Sequence, residues 1–347
     1  IVCGCPALIP LANSANKQGR IAADNINGFN EKYSGTPGTA IAKIFDLTAA
    51  ITGASEKRLK KLDIKYDKVY LHPSSHAGYY PDAFPMILKL LYSPQDGRIF
   101  GAQIISNEGI DKRIDILATF VQFKKTIYEL AQLELAYAPP FSSAKDPVNL
   151  AAMIAINQIQ GKNPTIHWNQ IGELKKEGAL FIDVRSKLEY DLSHLDGAIN
   201  ISFEDIRNKI SEIPKEKKVV LYCNQGKTAY FALTILQNSG YTNVYNLNGG
   251  YKLYNFTILK QENVGIFDDS FIDKKDDIHT IIPQKGSIIE IDACGLQCPG
   301  PIMKLSQTVA QAQTGDIIEI KVTDPGFNND IKVWCQRTGN QLLSVEN

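Results

Sequence analysis

The sequence predicts a multidomain chain of α/β and α+β units, and three stretches support this prediction. An apolar run over residues 219–222 predicts a buried strand that meets a helix after a short polar loop, which is typical of an α/β unit. Before it, residues 39–159 place strands first and helices afterwards, the order of an α+β layer. After it, a strand at 288–291 leads into a cysteine-proline element and a helix, which indicates a second α+β unit.

The composition excludes several classes of protein. The chain has 347 residues, enough for two or three domains, and 44% of them are hydrophobic. Its 37 basic and 37 acidic residues cancel, so the charge favours neither nucleic acid nor an anionic membrane as a partner. No apolar run approaches the roughly 18 residues of a membrane span. The six cysteines are too few for a disulfide scaffold, which favours a cytoplasmic protein.

Cys223 is the main candidate nucleophile because it lies where the central strand ends and a helix begins. The loop after it consists of Asn224, Gln225, Gly226, Lys227 and Thr228. Backbone N–H groups at a helix N terminus stabilise a thiolate or a bound anion. Phosphate-ester chemistry would need an arginine six residues after the cysteine, and Ala229 occupies that position. The alternative is that Cys223 is a small buried hydrophobe.

Four motifs in a fixed order make residues 165–258 resemble a rhodanese domain. They are Phe181–Arg185, His194–Asn200, Cys223–Thr228 and Leu247–Tyr251. The resemblance implies a rhodanese-like α/β domain in which Cys223 takes or presents a sulfane sulfur. Many members of the family end the loop with arginine, whereas this chain has Thr228. An anionic sulfur donor would therefore be held by Lys227 and backbone amides.

The first part of the chain is predicted to hold a layer of strands followed by helices. A loop enters a small-residue helix near residue 12. The pattern then predicts one strand over 39–47, a helix over 55–62, strands near 67–72, 86–92 and 99–105, and helices over 110–123 and 147–159.

Residues 1–30 resemble the tail of the FAD domain in the pyridine nucleotide-disulfide reductases, through Pro10, Leu11 and Ala12. The pattern alone favours ordinary helix packing there. The resemblance implies that this segment lies near the flavin, and that FAD and NAD(P)H serve the full-length protein. The glycine-rich nucleotide fingerprints that should precede the segment are absent from the sequence, so we expect a chain truncated at its start, and the same holds for its end.

Residues 31–162 resemble the α+β dimerisation domain of the same reductases. The nearest branch is coenzyme A disulfide reductase, through His76–Pro81 and Tyr137–Asn149. The resemblance implies a homodimer formed by this domain, with coenzyme A disulfide or persulfide and low-molecular-weight thiols as partners. It also implies that Tyr79 and Tyr137 reach a substrate near the partner's flavin. The alternative is that both tyrosines cap a core with their hydroxyls in water.

The last part contains a charged linker, predicted over residues 259–286, and a second cysteine unit. There Cys298–Pro301 form a Cys-Pro-x-Pro element at the start of a helix. Through it, residues 287–347 resemble a truncated TusA/SirA-like sulfur carrier, a two-layer α+β domain, and the resemblance assigns a persulfide to Cys298. Cys294 would resolve that persulfide or be a bystander. No metal site is predicted, because these cysteines lack a second pair of ligands at zinc spacing.

Together the three resemblances predict part of an FAD- and NAD(P)H-dependent coenzyme A disulfide or persulfide reductase with fused sulfurtransferase and carrier domains. This chain lacks the nucleotide-binding fingerprints, so the activity expected of it is sulfur transfer by Cys223. The alternative is a non-reducing sulfur relay or docking module for a separate reductase.

Overall fold

The computed structural model describes most of the chain, namely residues 4, 7–262, 287–296, 300–324 and 327–346. The chain divides into two compact units. The first comprises residues 1–185 and 195–256, and the second comprises residues 186–194 and 257–347. Among the described residues, no helix combines the length and the apolarity needed to cross a membrane.

The first unit begins with a helix and an antiparallel sheet. The helix is α1, Ala12–Ile26. The five strands, in sheet order, are β1 Ala40–Ile44, β2 Leu47–Gly53, β5 Ile99–Ser106, β4 Ile87–Tyr92 and β3 Asp67–Leu71. A short helix, α2 Glu56–Lys61, lies between β2 and β3. Three further helices follow the sheet: α3 Asp111–Gln122, α4 Ile127–Ala131 and α5 Pro147–Ile159.

One face of this sheet packs against helices. Ile114, Leu117 and Val121 of α3 are buried with strand residues in a single apolar cluster. Helix α5 contributes small buried residues, Ala151, Ala152 and Ala155, which allow close approach to the sheet. The predicted start of α5 is confirmed, because the side chain of Asp146 accepts the backbone N–H of Val148.

The prediction of one continuous strand over 39–47 is wrong. The chain reverses at Phe45, whose φ is 52°, and β1 pairs with β2 in a tight hairpin. Phenylalanine in the left-handed region is unusual, and no glycine or Asn-Gly pair marks the turn in the sequence. The alternating pattern therefore hid the reversal. Helix α4 was also missed, although Thr126 and Glu129 form a capping box at its start.

The rest of the first unit is built on a parallel sheet. Its strands, in sheet order, are β6 Thr165–Ile166, β10 Val244–Leu247, β9 Val219–Tyr222, β7 Leu180–Asp183 and β8 Ile199–Asn200. The helices of this region are α6 Ile171–Lys176, α8 Lys227–Asn238 and the first part of α9 Gly250–Glu262, whereas α7 Lys187–Leu192 falls in the second unit. All four residues of β9 are buried, as expected for the centre of a parallel sheet. The carboxyl ends of β7 and β9 meet at one edge, which brings the residues that follow them together.

The second unit contains a small parallel pair of strands, β11 Ile288–Asp292 and β12 Ile317–Lys321. Helices α10 Gly300–Val309 and α11 Phe327–Thr338 pack with them around a buried cluster that includes Leu305 and Trp334. The predicted strand at 288–291 and the helix after the cysteine-proline element are confirmed here. Most of the predicted linker lies outside the described residues, and α9 extends four residues into it. The multidomain α/β and α+β prediction is confirmed.

Candidate functional site

Cys223 lies where the sequence predicted, between the end of β9 and the start of α8. We call residues 223–228 the cysteine loop. The Sγ atom accepts the backbone N–H of Gly226 at 3.2 Å and that of Ala229 at 3.5 Å. The side chain is buried, with 6% exposed. Two N–H groups aimed at one sulfur at a helix N terminus provide donors for negative charge on that sulfur, as nucleophilic sulfur chemistry requires.

Gly226 makes this arrangement possible. It precedes α8 with φ of 91°, a backbone conformation that side-chain-bearing residues rarely adopt. Its N–H points at the sulfur, while its carbonyl accepts a hydrogen bond from Asn246 Nδ2 at 3.0 Å. A residue with a side chain at this position would therefore strain the loop and move the N–H away from Sγ.

A buried arginine supports the loop. Arg185 follows β7 and donates to both carboxylate oxygens of Asp183, with the closest contact 2.6 Å from Nη2. Its Nη1 donates to Asn224 Oδ1 at 3.1 Å, and its guanidinium lies 4.4 Å from the ring centre of Tyr251. The first residue after the cysteine is thereby held by a fixed cation. In the sequence, Asp183 and Arg185 were recognised only as part of a family motif, and their role in supporting the loop was missed. The Asp-x-Arg spacing directly after a buried strand was the signal that could have indicated this ion pair.

The other predicted loop residues differ in their exposure. Asn224, Gln225 and Thr228 are half-buried, whereas Lys227 is exposed at the first position of α8. An exposed ammonium at a helix N terminus is available to an anion from solvent. Substrate binding by these residues stays a prediction.

The second predicted cysteine, Cys298, lies outside the described residues. Cys294, the possible resolving cysteine, is exposed, and its backbone N–H donates to Asp292 Oδ1 at 2.9 Å. A second hydrogen bond, from the Cys294 thiol itself to the Asp292 carboxylate, raises the pKa of that thiol. This effect disfavours the thiolate that exchange chemistry needs, and it leaves the role of Cys294 a prediction.

The two predicted tyrosines come together in the first unit. The hydroxyl oxygens of Tyr79 and Tyr137 lie 3.2 Å apart, although the residues are 58 positions apart in sequence. We call them the tyrosine pair. The Tyr79 side chain is 77% exposed, which disfavours the core-capping alternative within this chain. Their mutual hydrogen bond is the main cause that raises the pKa of Tyr137.

Arg113 of α3 holds the two loops that carry the tyrosine pair, and sequence reasoning missed it. It is fully buried, pairs with Asp146 at 3.0 Å, and donates to the carbonyls of Ser75 and Gly109. Its Nη2 also donates to Ser142 Oγ at 3.4 Å. Burial alone would raise the pKa of Asp146, but the hydrogen bond and charge of Arg113, with the hydrogen bonds from Ser142 and Val148, together outweigh burial and hold that pKa below its ordinary value.

Pro10, Leu11 and Ala12 lie at the N terminus of α1, and Ala12 is its first residue. The N-cap residue Leu11 makes no side-chain hydrogen bond, Asn13 Oδ1 accepts the N–H of Ser14 at 2.7 Å, and Pro10 and Ala12 are exposed. An exposed helix start fits the predicted contact with a flavin, which stays a prediction. Among the described residues there is no group of three or more His, Cys, Asp or Glu side chains that could hold a metal ion.

Comparison with known families matches three separate stretches of the chain. Residues 39–147 match the pyridine nucleotide-disulphide oxidoreductase dimerisation domain. Residues 168–256 match the rhodanese-like domain, and residues 289–347 match sulfurtransferase TusA. The chain therefore joins an oxidoreductase dimerisation domain to two domains of sulfur-transfer families.

Among individual proteins, the chain resembles coenzyme A disulfide reductases, which confirms the resemblance drawn from its motifs. The enzyme of Staphylococcus aureus is 38% identical over 146 residues, covering 42% of this chain and 33% of the relative. The enzyme of Staphylococcus epidermidis is 36% identical over the same length and coverage. The chain thus spans about a third of these curated relatives.

Two solved structures are similar over a longer stretch. Reduced Bacillus anthracis CoADR-RHD is 42% identical with a TM-score of 0.72, covering 75% of this chain and 46% of that one. A NAD-dependent persulfide reductase from A. fulgidus is 36% identical with a TM-score of 0.65, covering 72% of this chain and 45% of that one. The similarity extends through most of the described chain and about half of each solved chain.

Proposed function

We propose that this chain is part of an FAD- and NAD(P)H-dependent coenzyme A disulfide or persulfide reductase, and that Cys223 transfers sulfane sulfur in it. The observation that carries the proposal is the pair of backbone N–H groups from Gly226 and Ala229 on Cys223 Sγ. The match of the surrounding residues to the rhodanese-like domain supports it.

The proposed transfer needs only the thiolate and a sulfur donor. The Cys223 thiolate attacks the outer sulfur of thiosulfate, a new S–S bond forms, and the donor's S–S bond breaks so that sulfite leaves with the electron pair. The resulting persulfide keeps its negative charge near the same N–H groups. A low-molecular-weight thiolate then attacks the terminal sulfur, which yields the acceptor persulfide and regenerates the Cys223 thiolate.

The reductase part of the proposal rests on the first sheet and the tyrosine pair. We propose that residues 31–162 form a homodimer and that Tyr79 and Tyr137 donate hydrogen bonds to coenzyme A disulfide or persulfide. The similarity to coenzyme A disulfide reductases supports this assignment. Pro10, Leu11 and Ala12 would contact the flavin, and bound FAD would supply electrons taken from NAD(P)H. The cytoplasm is the compartment that fits free thiols.

A second candidate is a non-reducing sulfur relay or docking module. Thr228 favours it, because this position would hold arginine in many rhodaneses and here provides no cation for an anionic donor. In the relay, Cys223 would pass its sulfur to Cys298 without turning over a small-molecule acceptor.

Mass spectrometry of the intact chain after incubation with thiosulfate tests the proposal. We expect the native chain to gain the mass of one sulfur atom on the peptide that contains Cys223, and Cys223→Ser to gain none there. Cys335→Ser is the matched control, because Cys335 is also buried but lies on α11. It should load Cys223 as the native chain does.

The acceptor step separates the two candidates. Loss of the added sulfur to a small thiol, with release of persulfide, supports turnover by Cys223. Loading of Cys298 that depends on Cys223 and ignores the small thiol supports the relay. A Cys223 peptide that never gains sulfur would show that the loop is not a sulfurtransferase site.

A further inference from the structure

Asn248 pairs with the edge of the antiparallel sheet as another strand would. It follows β10, and β3 is the edge strand of the first sheet. The backbone N–H of Tyr70 donates to Asn248 Oδ1 at 3.0 Å, and Asn248 Nδ2 donates to the carbonyl of Lys68 at 2.7 Å. A carboxamide has the same donor and acceptor as a peptide group, so it completes the edge of β3 at this point. The side chain is buried, with 5% exposed.

A second contact fixes the next residue to the same sheet. His72 directly follows β3, and its Nε2 lies 3.0 Å from the carbonyl oxygen of Gly249. Burial, with a smaller contribution from the charge of Lys252, lowers the pKa of His72 to about 4. The ring is therefore neutral at pH 7, and the tautomer that donates from Nε2 satisfies the Gly249 carbonyl.

The same turn then reaches the cysteine loop. The backbone N–H of Tyr251 donates to the carbonyl of Cys223 at 2.8 Å, and that of Lys252 donates to the carbonyl of Asn224 at 3.0 Å. Gly250 has φ of 66°, and a Cβ there would come within 2.5 Å of both carbonyl oxygens. Only glycine allows the turn and the loop to approach so closely.

We propose that Asn248 is a positioning residue for Cys223, which connects the oxidoreductase dimerisation sheet to the geometry of the sulfur site. The inference rests on the proposed sulfur transfer by Cys223. Through the 248–252 turn, β3 sets the positions of the peptide groups on either side of Asn224. These groups in turn orient the loop, so that the Gly226 N–H points at Sγ three residues later.

The physical consequence concerns the thiolate. Hydrogen bonds from N–H groups stabilise a thiolate only while the donors stay aimed at the sulfur. Asn248→Ala removes both bonds to β3 and frees the turn to shift. We expect the alkylation profile of Cys223 to change so that the rate near pH 7 falls about three- to tenfold.

The test measures the rate of Cys223 alkylation by iodoacetamide against pH, with peptide mass spectrometry to isolate that cysteine. Asn149→Ala is the matched control. Asn149 is also a buried asparagine, with 7% exposed, and its Nδ2 donates to the carbonyls of Leu130 and Leu133 in the first sheet's helical layer. It makes a comparable pair of backbone contacts elsewhere, so its loss should leave the alkylation profile unchanged.

A second variant keeps the test decisive if Asn248→Ala does not fold. His72→Leu replaces the imidazole by an apolar side chain of similar size and so removes the donor to Gly249. We therefore expect a smaller change of the alkylation profile in the same direction. A profile of either folded variant that coincides with that of Asn149→Ala would overturn the positioning role.

Alkylation does not depend on sulfur transfer, so the two proposals fail separately. A shifted profile in a chain that never loads sulfur from thiosulfate would support the positioning role and reject the transfer. Normal sulfur loading of the native chain, with no change of the alkylation profile in Asn248→Ala, would support the transfer and reject the positioning role.

Discussion

The cysteine loop and the tyrosine pair are each held by a buried arginine paired with an aspartate, yet the two ion pairs span the sequence very differently. Arg185 and Asp183 are two residues apart at the end of one strand. Arg113 and Asp146 are 33 residues apart and join a helix to the loop before another helix. The first pair supports a site made by a single strand, loop and helix, whereas the second assembles a site from distant segments.

This difference determines what each arginine stabilises. Arg185 donates to Asp183 and to Asn224 within one edge of the parallel sheet. Arg113 satisfies the carbonyls of Ser75 and Gly109 as well as the buried carboxylate of Asp146. The cysteine loop follows directly from one strand, so its backbone conformation can persist without Arg185. The tyrosine pair lies on two distant segments, and removing Arg113 removes the contacts that join them.

The largest expected effect is on stability after Arg113→Met. The change leaves the buried Asp146 carboxylate with the partly exposed Lys112 ammonium, 3.9 Å away, as its cation, and leaves two carbonyls without this donor, which costs about 3–5 kcal/mol of unfolding free energy. Arg185→Met should cost less, because apart from Asp183 it leaves only the half-buried Asn224 side chain without that donor, rather than two backbone carbonyls. Urea unfolding of both variants measures the order of the two losses.

The exposed pair Lys125 and Glu129 provides the control for this comparison. Lys125→Met removes an ion pair of 2.6 Å at the surface, where solvent screens the charges, and should leave the urea midpoint unchanged. If Arg113→Met and Arg185→Met lost the same unfolding free energy, the proposed difference between the distant and the local ion pair would be wrong.

A smaller effect should appear in the pH dependence of stability. The pKa of Asp146 is held below its ordinary value of 3.8, so its contribution is complete above that value and is lost as the pH falls through the folded-state pKa. Asn in its place can still cap α5 but cannot titrate. The native chain should exceed Asp146→Asn in unfolding free energy near pH 6, and the gap should narrow toward about pH 3. A difference in unfolding free energy that stays constant across this pH range would contradict a lowered pKa for Asp146.

The smallest effect concerns the tyrosine pair itself. Tyr79→Phe removes the hydrogen bond that is the main cause of the raised pKa of Tyr137, so this pKa should fall toward its ordinary value of 10.0. Phenolate absorbance against pH measures it, with the spectrum of Tyr79→Phe/Tyr137→Phe subtracted to isolate one ring. Both side chains are exposed, so the urea midpoint should not change. An unaltered Tyr137 titration would show that the two hydroxyls do not interact in solution.

The cysteine loop could be predicted in detail because each of its determinants lies within a short window. The apolar strand, the cysteine, the turn at Gly226 and the apolar face of α8 follow one another directly, so periodicity and residue type were sufficient. The start of α5 at Asp146 and Pro147 was predictable for the same reason. Local signals failed at Phe45, where a tight turn forms without the usual residues.

The sequence by itself therefore determined the order of the domains, the strand, loop and helix around Cys223, and the motifs that identify both tyrosines. Only the tertiary structure decided that Tyr79 meets Tyr137, that Arg113 joins their loops, and that Asn248 completes the edge of β3. The reason is physical. Helix and strand periods are set by neighbouring residues, whereas a hydrogen bond between distant groups depends on how whole sheets and helices pack and on which buried polar atoms still need partners.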